Sequence, residues 1–105
     1  MLLNTEQQNR LLQEIHNLGI AELKTVQSLD RLDGSYLNLE CKWPNGKTGR
    51  ILDDAQKYYA CQVEISGSEK CYGVAANAHM IAVYRYGCNG TDAELILWKR
   101  LECII

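Results

Sequence analysis

The chain has no apolar run long enough to cross a membrane as a helix, which takes roughly 20 residues. Its start passes from Met1-Leu2-Leu3 directly into polar residues, without the longer apolar segment of a secretory signal. Basic residues are not in excess. Eleven Lys and Arg against 13 Asp and Glu leave a net charge of −2, which argues against general binding to a phosphate backbone. No two cysteines stand at CxxC spacing and no two metal ligands are closely spaced as in structural zinc motifs. There is no internal repeat, low-complexity segment or linker, and no catalytic or cofactor motif. These absences lead us to expect a cytoplasmic protein without cofactor, metal or membrane contact.

Two partial motifs fail on inspection. Gly46-Lys47-Thr48 has the look of the end of a phosphate-binding loop, but the glycine required five places earlier is Cys41, inside an alternating run. A hairpin turn with a solvent-facing lysine is the better reading. A thiol–imidazole mechanism has only His16 and His79 to draw on; Cys71 or Cys88 beside His79 would be its members, with no local signature to support them. A small thiol enzyme is therefore the third reading of function. The other cysteines, Cys41, Cys61 and Cys103, each fall on the apolar phase of a run, as small buried hydrophobes do in a reducing compartment. Cys88, in a polar loop, is expected to be exposed.

What is present suits one domain, residues 1–105, with a real core: 47 per cent of the residues are apolar and 23 per cent charged, which excludes disorder for most of the chain. Leu11, Leu12, Ile15 and Leu18 recur at helical spacing, preceded by the capping pattern Thr5-Glu6-Gln7-Gln8 and followed by Gly19, so a helix is predicted over Glu6 to Leu18. Glu22 to Leu29 fits a strand or a short helix, and Asp30-Arg31-Leu32-Asp33-Gly34 reads as a turn. Leu37, Leu39, Cys41 and Trp43 alternate with polar residues as a half-buried strand, ended by Pro44-Asn45-Gly46, with Ile51-Leu52 as a short return. Tyr59, Cys61, Val63 and Ile65 form another one-sided strand. Cys71 to Ala75 fits a short strand, and Ala76-Asn77-Ala78 a bend.

The densest apolar content lies in Met80–Ile105, where MIAVYRY and AELILWKRLECII flank the polar GCNGTD. A capping box at Thr91-Asp92-Ala93-Glu94 admits a helix for the second run, but its β-compatible residues favour a strand. As a hairpin with Tyr86 near Ala93, the pair sets Arg85 across from Glu94, opposite charges that attract on facing positions. An unbroken register then groups Val83 with Ile96 and Ile81 with Trp98 on one face. The predicted fold class is α+β: an N-terminal helix packed on an antiparallel sheet of five to six strands, ending in a C-terminal β-hairpin.

The leading functional expectation is a small non-enzymatic domain that masks a surface of another protein, as an inhibitor, immunity or anti-defence factor or adaptor, or that pairs with itself as a homodimer. Its candidate contact residues are Ile81, Val83, Arg85, Glu94, Ile96, Trp98 and Arg100, an apolar centre with charged edges. The alternative is a nucleic-acid-associated protein using the basic turn Lys42, Lys47 and Arg50, where aromatics interleave with cations.

Overall fold

A computed structural model describes residues 3–32, 40–42, 45–50, 58–87 and 93–102. The helix α1 runs Thr5–His16. Its capping box starts one residue before the predicted one: Asn4 Oδ1 accepts from the Gln7 amide at 2.8 Å, and Gln7 Oε1 accepts from the Asn4 amide at 2.9 Å. Both Asn4 and Thr5 are capping residues with a glutamine three places on, so the sequence permits either phase. The helix ends at His16, and Gly19 takes the positive φ of +82° that glycine adopts without penalty. A 3₁₀ segment, Ala21–Thr25, follows and buries Leu23.

Seven strands form one sheet: β1 Asp30–Leu32, β2 Glu40–Lys42, β3 Thr48–Arg50, β4 Tyr58–Glu64, β5 Lys70–Ala76, β6 Met80–Gly87 and β7 Glu94–Arg100. Their order is β1-β4-β5-β6-β7-β2-β3. The first five in that order are antiparallel to their neighbours, in keeping with the predicted α+β fold class. The β2–β3 hairpin joins β7 by a single parallel bridge, Lys42 to Glu94. Asp30-Arg31-Leu32, predicted as part of a turn, is instead a strand, because the edge of β4 offers it partners in Tyr58, Tyr59 and Ala60. The return after the Asn45-Gly46 turn is Thr48–Arg50, earlier than the predicted Ile51-Leu52, which lies outside the described residues. Thr48 begins a strand rather than a helix, and Gly46 has φ +85°, as a turn requires.

The C-terminal run is a strand, and Arg85 does stand opposite Glu94, with Tyr84 opposite Leu95. Beyond that point the predicted register needs correction. A β-bulge at Val83/Tyr84 leaves Ile96 without a partner, so Val83 faces Leu97, Ala82 faces Trp98 and Ile81 faces Lys99. A shift of one residue exchanges the faces of a strand. Trp98 therefore leaves the face of Ile81 and Val83.

Both faces of the central strands are buried. On one, Tyr59, Val74, Ala76, Ile81 and Val83 pack beneath Leu11, Ile15 and Leu23. Leu3 closes this side, its amide donating to Tyr59 Oη at 2.9 Å. On the other face Tyr58, Ala75, Ala82, Tyr84 and Leu95 form a second cluster. There Tyr86 lies across Gly73: a Cβ added at Gly73 would stand 2.7 Å from the Tyr86 ring. The β5–β6 turn is held by Asn77, whose Oδ1 accepts from the amides of His79 (2.8 Å) and Met80 (3.1 Å). Among the described residues no helix is long and apolar enough to cross a membrane.

Candidate functional site

The seven residues grouped by sequence as a contact face are divided by the bulge. Ile81 and Val83 have no exposed surface and belong to the core under α1. Ile96 is partly buried against the same core. Arg85 and Glu94 meet as predicted, Nη2 to Oε2 at 3.0 Å. Both side chains are about two-fifths exposed, 38 % and 44 %, so the pair contributes at most about 1 kcal/mol and serves mainly to hold the register before the bulge.

Trp98 stands apart. It is the only large hydrophobic side chain exposed among the described residues, at 48 %. Lys99 and Arg100 beside it are exposed too. Lys99 turns toward α1, its Nζ 3.5 Å from Glu14 Oε2. Beyond the Lys42–Glu94 bridge, the outer edge of β7 has no neighbouring strand among the described residues. The site is therefore a half-exposed indole on the part of β7 beyond its bridge to β2, with Arg100 on the same face and Lys99 on the other, paired with Glu14. An amphipathic ring in that setting can bury a large area without ordering a long side chain.

The basic turn proposed for nucleic acid lies in the β2–β3 hairpin. Lys47 is exposed, and its amide is held by Asn45 Oδ1 at 3.0 Å. Lys42 and Arg50 are described by their backbone alone, opposite Thr48 and Glu40 respectively. Pro44 and Trp43 lie outside the described residues.

Cys71 and His79 do not meet. Cys71 is the second residue of β5 and is 1 % exposed, whereas His79 sits in the turn beyond the other end of that strand. Six strand residues separate the two ends by roughly 20 Å. Cys88 and Cys103 lie outside the described residues, and Cys41 is described by its backbone alone. Cys61 is half-buried on the helix-facing side of β4, and burial, aided by the nearby Asp30 carboxylate, pushes its thiol from an ordinary 9.0 up to about 11. A thiolate is the nucleophilic form. Cys61 is therefore expected to alkylate far more slowly at pH 8 in the native protein than in urea, and a native rate equal to the unfolded one would contradict this placement. The same shift fixes a stability window. Below pH 9 both states keep the proton and the thiol has no effect. Between pH 9 and about 11 the unfolded chain ionises first and native stability falls.

Among the described residues no group of three His, Cys, Asp or Glu side chains is arranged to hold a metal ion. Comparison with protein-family models, with curated proteins and with solved structures finds no match to the chain.

Proposed function

We propose that this chain is a small non-enzymatic binding domain that works in the cytoplasm by masking a surface of another protein, the mode of an inhibitor, immunity factor or adaptor. The observation that carries the reading is Trp98, half exposed on β7, where the other large apolar side chains among the described residues are at least partly covered. Arg100, exposed on the same face, fits a partner whose contact surface is apolar at the centre and acidic at the border. On this reading the contact centres on Trp98 and Arg100 and leaves out Ile81 and Val83, which are buried in the core.

A photo-crosslinking residue in place of Trp98, introduced in the cells that make the protein, tests this. A discrete adduct to one protein is expected. With that partner in hand, Trp98→Ala should weaken association by about 2 kcal/mol or more, as loss of a central aromatic anchor does. An adduct to a second copy of the chain, with a matching dimer in sedimentation, makes the partner itself. Partner affinity unchanged in Trp98→Ala rejects the site.

A further inference from the structure

The other side of the sheet carries a second opening. β4 has seven residues, of which only Tyr58, Tyr59 and Ala60 pair with β1. From Cys61 to Glu64 its outer edge has no strand neighbour among the described residues. Continued in the register that sets Asp30 opposite Ala60, Ser28 would stand across from Gln62. Instead the chain turns away, because Val26 is drawn into the core beside Leu23 and its carbonyl is held 2.7 Å from His16 Nε2. The divergence opens a groove of about 590 Å³ between residues 25–28 and the edge of β4.

The two walls differ in chemistry. Side chains alternate between faces along a strand. Cys61 and Val63 point to the helix side and join its apolar cluster with Val26. Gln62 and Glu64 point the other way, on the face that the register also assigns to Asp30. The groove is lined by two carboxylates, Asp30 and Glu64, and by no Lys or Arg. Its negative field is felt by Cys61, whose thiol Asp30 helps to keep protonated.

We propose that this groove receives an extended segment of another protein, added as a strand to the edge of β4, with aliphatic and basic residues in alternation. The backbone of Cys61–Glu64 supplies the ladder, as in other edge-addition complexes. The aliphatic positions meet Cys61, Val63 and Val26. The basic positions lie over Gln62, whose amide oxygen can accept, and over Glu64, whose opposite charge attracts across facing strands. Because the wall at Val26 is already fixed by burial and by His16, little ordering is left for the binding step.

The test is an amide NMR titration of the whole chain with an end-blocked peptide of alternating lysine and valine. The expected result is a set of shifts concentrated at Thr25–Ser28 and Cys61–Glu64, with slowed amide exchange along that edge and affinity that falls with salt. Glu64 is exposed, so Glu64→Lys should fold normally, and it should weaken binding about fivefold or more. Peptides with glutamate for lysine, or with the same residues in two blocks, should bind worse. Four outcomes would overturn the proposal: no shifts at millimolar peptide, shifts placed on β7 instead, equal binding by the blocked peptide, or equal binding by Glu64→Lys. None of them tells against the Trp98 contact, which has its own test.

Discussion

Ile81→Ala is expected to lower the unfolding free energy by about 2–5 kcal/mol, while Trp98→Ala lowers it by about 1 kcal/mol or less. Sequence alone puts these two side chains opposite each other on one face, where both would be anchors or both core. The bulge separates them. Ile81 has no exposed surface and fills the space between sheet and α1, so truncation leaves a cavity the rigid ladder on either side cannot close. Trp98 keeps about half its surface in water, and removing it leaves no such void. Thermal melts of the two variants side by side measure the contrast; each kcal/mol shifts the midpoint of a domain this size by about 4–8 °C. Equal losses would mean that the register runs unbroken through Val83 and that the indole is packed.

Gly73→Ala should cost about 1–3 kcal/mol, and Gly73→Val more, although small-to-larger changes in a strand usually raise β propensity. The reason is Tyr86. Its ring crosses the strand to lie on Gly73, close enough that a methyl group would stand 2.7 Å from one ring carbon and 3.2 Å from the hydroxyl oxygen. No backbone strain is involved, since Gly73 lies within the regular β5 ladder. The overlap can be relieved from the other side: in a Tyr86→Ala background, adding the methyl at Gly73 should cost much less. A double-mutant cycle by urea denaturation reads the coupling directly, and additive losses would remove the ring-on-glycine contact from the account.

The alternation of Tyr59, Cys61 and Val63 and the charge pair Arg85–Glu94 were legible because each is local or has a polar phase to mark it. The helix was legible for the same reason, apart from the one-residue choice between Asn4 and Thr5. The bulge was not, since Leu95, Ile96, Leu97 and Trp98 are all apolar and an extra residue among them leaves no break in the pattern. The candidate site inherits that error, because moving Trp98 by one position takes it from the expected centre of an apolar face to an exposed position on the opposite face of β7. β1 was hidden for a different reason. Asp30-Arg31-Leu32 has the composition of a turn and becomes a strand only through partners 26 to 30 residues away, beyond the reach of local propensity. The parallel bridge from Lys42 to Glu94 is longer-range still.

The unpaired Ile96 also bears on solubility. An outer strand that is long, flat and apolar is a template on which further chains can stack, edge upon edge, into fibres. A bulge raises the local twist and bends the strand that carries it, so the stretch from Ile96 to Arg100 does not present the straight row of amides and carbonyls that such growth requires. Deleting Ile96 would preserve every pairing on either side of it while straightening the edge. The extra residue thus lets β7 keep an indole in water and still remain a poor seed for aggregation.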